Sequence, residues 1–393
     1  MKILLLNANR VGVGTYHRAL NFGRELARRG HSVTMMTVSR TQRYRRHERF
    51  DRDGLRVIEC PNWLDELLPW HASGPIDVWL RLRELWRGDY DLVYAFEYQP
   101  NISLPVFLTR PFRRYTLVSD WCDWHAGASY HFGGRRWAHQ IDRFFEELIR
   151  HHAEHITTIN HILHDRARAI GIAGDRVSII GEGVDLAHIV PLDRDAARRR
   201  LGLPAGVPIV GSIRDADRSA DILCGAVAAS RAADLHLLMV GSDPEPVRRL
   251  AESHGVADRL LAPGRVSDDD LPYYLASADV LALPLEDNLV NRGRWPHKLG
   301  DMLAAGRPVV TSRGGEFPEL LVARGCATVV GFGAAAFAGA IDAALGDPAG
   351  SAELAARGRA LAERELNWTA IGDQLDGVLR KLVPGGEAHA RCA

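Results

Sequence analysis

A chain of 393 residues is long for one ordinary domain and sufficient for two. Its composition, 46% hydrophobic and 25% charged, is that of a globular protein with real cores and excludes a disordered or fibrous class. A formal net charge of zero excludes a global nucleic-acid footprint, although residues 1–168 hold roughly 25 basic against 19 acidic side chains.

In chain order, residues 3–7 form a short apolar run that predicts a buried strand. A glycine-bearing turn follows, then a helix with Tyr16, Leu20, Gly23 and Ala27 on one face, ended by Gly30. Further strands are expected at 33–38, 56–60, 92–96, 116–119, 156–159 and 177–180. A second alternation runs through 208–213, 235–240, 259–261, 280–283, 308–311 and 327–330. One long helix is expected over 352–382, and the last residues, with Pro384-Gly385-Gly386, read as a flexible tail. Apolar strands alternating with helices predict an α/β protein with two Rossmann-like parallel-sheet halves. The expected divisions are an N-terminal domain at 1–185, a linker at 186–207 and a C-terminal domain at 208–365. A terminal helix at 366–382 returns to the first domain, and 383–393 is the tail. Two such sheets facing each other put a cleft at the carboxyl ends of their strands, where open α/β sheets bind ligands.

Five cysteines, Cys60, Cys122, Cys224, Cys326 and Cys392, stand singly without metal-ligand spacing and suit a reducing compartment. Met1-Lys2-Ile3 enters a strand directly, and no apolar run approaches the roughly 20 residues that span a bilayer. A cytoplasmic protein is expected. The basic groups Arg43, Arg45, Arg46 and Arg49, and Arg110, Arg113, Arg114, Arg135 and Arg136, read as solvated surface. The alternative is a half that meets an anionic acceptor or sits peripherally on the inner face of an acidic membrane. Trp63, Trp70, Trp79 and Trp86 read mostly as core or lid packing, with an apolar acceptor site or membrane-touching patch at Trp63 and Trp70 as the other reading.

The first turn is Gly12-Val13-Gly14-Thr15-Tyr16, whose glycines let backbone N–H groups approach a phosphate at a helix N-terminus. The third glycine of a dinucleotide fingerprint is missing, and Val38-Ser39-Arg40 offers no acidic ribose ligand, so a nicotinamide cofactor is rejected. Further on, Pro296-His297-Lys298-Leu299-Gly300-Asp301 opens a helix that Gly306 and Pro308 stop. Lys298 and Asp301 share a face while Leu299, Met302 and Leu303 point to the core. Ammonium and carboxylate side by side suit a nucleotide-diphosphate sugar, the first for phosphate oxygens and the second for ribose hydroxyls; the bland reading is a surface ion pair. The chain has only three lysines, Lys2, Lys298 and Lys381, among its 49 basic residues, so a compact point charge at 298 stands out.

Over nearly its whole length the chain resembles the retaining GT-B glycosyltransferases of glycosyltransferase family 4. The likeness rests on the opening strand and glycine turn, on Leu26-Ala27-Arg28-Arg29-Gly30-His31-Ser32-Val33 and on Gly183-Val184-Asp185. It continues in Ala278-Asp279-Val280-Leu281-Ala282-Leu283-Pro284, in the block 296–310, in Gly314-Gly315 followed by Glu319, and in Trp368. The resemblance implies that the C-terminal half binds the donor and the N-terminal half mostly the acceptor. Asp301 stands where the family has the second glutamate of its paired motif, the ribose ligand, with Lys298 in a Pro-x-Lys variant of it. Gly314 and Gly315 match a loop whose amides face donor phosphate or sugar. Arg218 matches a lysine on the diphosphate, Arg214 lies near its arginine partner, and Gly14 matches the turn that approaches the phosphates.

The departures fall at the sugar. Gly293 replaces the first glutamate, and the lengthened loop 286–295 offers Asn288, Asn291 or Glu286 in its place. Cys122 falls near the family's histidine in Asp120-Trp121-Cys122-Asp123-Trp124-His125, where Asp120, Asp123 or His125 takes its work and Trp124 joins the acceptor side. Asp123 reads equally as a helix cap, and His125 and His131 as structural. Glu97 ends a strand at the sheet's carboxyl edge, an acceptor-side position, and Glu319 is a donor-side group or a first-turn carboxylate that the helix dipole favours.

The resemblance implies transfer with retained anomeric configuration by a front-face route, with no enzymic nucleophile, no metal and no cofactor beyond the nucleotide-diphosphate sugar. A UDP-sugar is favoured, with GDP as the other base. Arg218 and Lys298 would stabilise the leaving diphosphate, with Asp123 or His125 at the acceptor. A small molecule, a lipid carrier or a glycan fits as acceptor in secondary-metabolite or cell-envelope biosynthesis, and the arginine- and alanine-rich usage points to a high-GC bacterium. The chain is expected as a monomer or homodimer. An NDP-sugar epimerase or hydrolase, and a non-catalytic sugar-nucleotide-binding partner, are the competing readings.

Overall fold

The computed structural model describes residues 1–51, 53–63, 74–124, 136–213, 218–241 and 243–383, with only the backbone at 136–139 and 141. His125, His131, Arg135 and Arg214 lie outside the described residues, as do Trp70 and Cys392; of Arg136 only the backbone is described. The chain divides into two compact units, Met1–Glu182 with Trp368–Ala393, and Gly183–Asn367.

The first unit is built on strands β1 (Lys2–Arg10), β2 (Ser32–Val38), β3 (His47–Phe50), β4 (Arg56–Cys60), β5 (Leu92–Phe96), β6 (Thr116–Trp121), β7 (His155–Thr158) and β8 (Val177–Ile179). They lie in the order β3-β4-β2-β1-β5-β6-β7-β8. The apolar runs of β1 and β5 pair in parallel, Leu6 beside Ala95 and Asn7 beside Phe96, and are buried throughout this stretch, as strands covered by helices on both faces must be. The sheet is not wholly parallel. β3, absent from the sequence reading, runs antiparallel on β4 at the edge, and its residues His47, Glu48, Arg49 and Phe50 carry no apolar pattern that would announce it.

The second unit holds β9 (Ile209–Ile213), β10 (His236–Val240), β11 (Leu260–Gly264), β12 (Val280–Leu283), β13 (Val309–Ser312) and β14 (Thr328–Val330). Their order is β11-β10-β9-β12-β13-β14, and every pair is parallel. Both units are thus α/β folds on parallel sheets, the first with one antiparallel edge strand.

Three expectations need correcting. Residues 352–382 are two helices, Pro348–Glu365 and Trp368–Leu382, because Val184 takes the backbone between them: its N–H donates to the Leu366 carbonyl at 2.7 Å and it bridges Asn367. The second of these helices places Trp368, Ile371, Leu375 and Leu379 in the first unit's core with Phe22, Leu26 and Tyr94. The stretch read as linker contains the helix Arg194–Leu201, capped by Asp193 and falling within the second unit. Trp79 and Trp86 are exposed, not core; they share the outer face of helix Pro75–Arg87, with Trp86 5.6 Å from the Phe112 ring.

Candidate active site

In each unit the strand order reverses once about a central strand, and at such a switch point the loops leaving neighbouring strands diverge to leave room for a ligand. In the second unit the reversal lies between β9 and β12. Arg218 opens the helix that follows β9, and Glu286 follows β12; the two side chains form an ion pair across the reversal point. Arg218 is 70% exposed and its guanidinium also lies over the Phe332 ring, 5.4 Å from the centroid.

The loop after β12 is held from within. Asn288 caps the short helix Leu289–Arg292, accepting from the Asn291 N–H at 3.0 Å, and donates its own amide to Glu286 at 3.3 Å. Asn291 is buried and donates to the Glu286 carbonyl at 2.7 Å, while its own oxygen accepts from Arg294. Both asparagine side chains therefore serve the loop, and Glu286 serves Arg218. These partners lie in the loop's tertiary folding, which the residue string alone did not disclose.

Gly314 and Gly315 follow β13 and precede helix Glu316–Arg324. They close directly onto that loop. A Cβ at Gly314 would stand 2.7 Å from the Leu285 Cβ, and one at Gly315, where φ is 99°, would collide with the Asn291 carbonyl. Only glycine permits this approach, which leaves a helix N-terminus beside Glu286 and Asn291. Trp295 stacks on Phe317 of the same helix at 4.2 Å and fixes the loop's far end. Glu319 points away, exposed and paired with Arg313 at 3.0 Å.

Helix His297–Ala304 buries Leu299, Met302 and Leu303 and turns its other face outward, with Lys298 half-buried and Asp301 nearly buried. His297 Nε2 lies 3.7 Å from the Asp301 carboxylate, one helical turn away. Gly293 caps the preceding short helix and supplies no side chain.

In the first unit the reversal lies between β1 and β5. The glycine turn after β1 is stapled by its neighbours: Asn7 and Asn9 each donate to the Thr15 hydroxyl at 2.7 Å. Gly14 has φ 58°, and a Cβ there would meet the Asn9 amide at 2.8 Å. Glu97, immediately after β5, is fully buried and is the one non-glycine residue with positive φ among the described residues, at 79°. Such strained backbone gathers at functional sites. Cys122 donates its thiol to Glu97 at 3.1 Å, and Asp123 joins them, the three groups lying within 4.8 Å of one another. Burial, reinforced by the Glu97 charge, pushes the Cys122 thiol up, so it stays protonated and acts as donor. Trp124 is half-buried, with the Arg166 guanidinium 5.5 Å from its ring centroid. Among the described residues Glu97, Cys122 and Asp123 are the set close enough to share a metal, which would require the Cys122 thiol to lose its proton.

Asp120 differs from its neighbours. It is wholly buried, and Arg18 grips both its oxygens at 2.8 and 3.1 Å while Thr157 donates to it at 2.6 Å. It faces the interior, whereas Asp123 stands at the edge. Arg18 itself was missed: a single arginine in a helix of mixed composition gives no signal. It donates further to the carbonyls of Ile180 and Gly181 and to Glu182, at 2.8, 2.6 and 3.2 Å. One buried cation thus ties the first helix, the end of β6 and the segment leaving the unit.

Comparison with known proteins bears on the family and the fold. Residues 12–183 match the family described as Glycosyl transferase 4-like domain, and residues 205–347 that described as Glycosyl transferases group 1. The 2-deoxystreptamine N-acetyl-D-glucosaminyltransferase of Streptomyces fradiae is 28% identical over 342 residues, 79% of each chain. Sucrose-phosphate synthase from Thermosynechococcus elongatus superposes with a TM-score of 0.79 at 22% identity, covering 97% of this chain and 98% of the other. Anabaena HepE in complex with UDP-glucose does so with 0.73 at 18% identity, covering 97% and 100%. The last two likenesses carry the fold, which is GT-B. The chain is a glycosyltransferase of the group 1 type.

Proposed function

We propose that the chain transfers a sugar from a nucleotide-diphosphate donor, a UDP-sugar by preference, to an acceptor hydroxyl with retention and without a metal. The observation that carries this reading is the Arg218–Glu286 pair across the second unit's reversal point, beside the helix N-terminus behind Gly315. The Arg218 guanidinium and open backbone N–H groups supply positive potential where a departing diphosphate needs it. Lys298 adds a point charge and Asp301 a carboxylate for ribose hydroxyls. The bond from the anomeric carbon to the phosphate oxygen breaks, the bond to the acceptor oxygen forms, and the acceptor proton goes to the departing phosphate. No protein nucleophile enters. Glu286 holds Arg218 until substrate arrives, with Asn288 and Asn291 shaping the loop that faces the sugar.

The acceptor reading rests on Glu97, Asp123 and Trp124 at the first unit's edge, with His125 next in the chain. Two carboxylates suit an acceptor rich in hydroxyls or amines. The Streptomyces relative is named for action on 2-deoxystreptamine, which supports a small polar acceptor of secondary metabolism.

Calorimetric titration of the full chain with UDP, GDP, dTDP and ADP, in EDTA, tests the proposal. Saturable binding of UDP is expected. Binding of none of the four would sink the donor reading, and binding that needs added metal would sink metal independence.

A further inference from the structure

The second unit has a groove that uses none of the groups above. It lies at the amino ends of β12 and β13, which Asp279 and Pro308 immediately precede, and is walled by helices Ala334–Gly346 and Pro348–Glu365. Its volume is about 500 Å³, within the range of small-molecule sites. Pro308, Leu345 and Ala355 give it apolar walls; Arg194, Arg307 and Arg359 line it with charge.

One of these cations stands outside the ion pairs. Arg194 and Arg198 share the Asp279 carboxylate at 2.6 and 2.7 Å, Arg194 also pairs with Asp195 at 3.0 Å, and Arg359 is held by Glu363 at 2.7 Å. Arg307 forms no ion pair among the described residues. Its one hydrogen bond runs from Nη2 to the Leu192 carbonyl at 3.0 Å, and its Nε is buried without an acceptor. Burial first, then the neighbouring Arg194, pushes this guanidinium below the ordinary arginine range. Asp279 and Asp193 oppose that shift without pairing with Arg307, and a half-buried cation with an unsatisfied N–H gains from an anion that completes its surroundings. A purely structural arginine tethering Leu192 would need neither the groove nor the second and third arginines.

We propose that this groove binds a small organic oxyanion, its phosphate or carboxylate head on Arg307 beside Arg194 and its apolar body against Leu345 and Ala355. Arginine's planar fork matches either head. The site is separate from the donor groups, which follow the opposite ends of the same strands, roughly 13 Å of strand away.

Calorimetric titration of the full chain with phenyl phosphate and with benzoate, alone and with UDP saturating, decides it and tells the two head groups apart. One probe should bind saturably, one per chain, and keep its affinity when UDP is present. Arg307→Met should weaken it about tenfold or more. Ala356→Trp, which fills the groove from an exposed position of its helix, should do the same and covers the case in which Arg307→Met fails to fold. UDP affinity should be unchanged in both variants. No saturable binding of either probe, equal binding in the variants and the parent chain, or displacement by UDP would each overturn the proposal. Failure of UDP to bind the parent chain strikes the donor reading instead and leaves this site standing.

Discussion

Removing the Arg18 guanidinium leaves the buried carboxylates of Asp120 and Glu182 without their shared cation. Breaking a buried pair from one side costs about 3–5 kcal/mol, so Arg18→Met should lower urea stability by about that much. Arg18→Met with Asp120→Leu should lose less than Arg18→Met alone; a single-variant loss under about 1 kcal/mol would show that the network is not holding the edge. On the donor side, Lys298→Ala and Asp301→Ala should each weaken UDP binding about tenfold while the unfolding midpoint holds. Unchanged affinity in both would remove them from the site. Arg218→Ala should lower turnover more than donor affinity, because charge on the leaving phosphate grows in the transition state, and a kcat-against-KM comparison reads this. The chain positions of Lys298, Asp301, Gly314 and Gly315 were readable from a contiguous block. Their surroundings were not: that Glu286 engages Arg218, or that Glu97 receives the Cys122 thiol, depends on loops 68 and 25 residues apart in sequence.

Elements carry the site by where they stop. Gly315 sits at φ 99° and ψ −173°, a region open essentially to glycine alone, directly against the Asn291 carbonyl. Gly315→Ala should cost about 1–3 kcal/mol and push helix Glu316–Arg324 off the loop after β12. Loss of UDP affinity larger than the loss of stability is expected; a variant that binds UDP like the parent would detach this helix N-terminus from the donor. The apolar strands were legible because burial on both faces forces continuous Val, Ile and Leu runs, as in β1, β5 and β12. Edge strand β3 was not, since its four residues are half or wholly exposed and their pairing alone makes them a strand. The break before Trp368 was hidden for a related reason. Leu366 and Asn367 are compatible with helix, and only the bond from Val184, 182 residues earlier, diverts them.

At the scale of the whole molecule, stability should climb with pH through the weakly acidic range. Burial, ahead of any charge, lowers His31 and His155 below the usual 6.5, even though His31 Nε2 lies 2.6 Å from Asp376, which pulls the other way. Both are neutral when folded and take up protons more readily when unfolded. Their contribution is therefore complete above about pH 6.5 and lost as pH falls through their lower folded values. Urea midpoints should drop between about pH 7.5 and about pH 5.5, and His155→Asn should flatten the slope; a midpoint that rises on acidification would contradict the sign. No helix among the described residues is long and apolar enough to cross a membrane.

The sequence by itself determined the two parallel-sheet halves, the order of their strands along the chain and the family resemblance, because these follow from hydrophobic periodicity and local glycine and proline chemistry that a linear string displays. Tertiary structure alone decided which carboxylate is interior and which stands at an edge, as Asp120 and Asp123 show three residues apart. It also decided that Arg18 is a hub and that Arg307, beside a groove, has no ion-pair partner among the described residues. The physical reason is common to all three. The state of a charged side chain is set by what surrounds it in space, and those neighbours come from segments tens to hundreds of residues away.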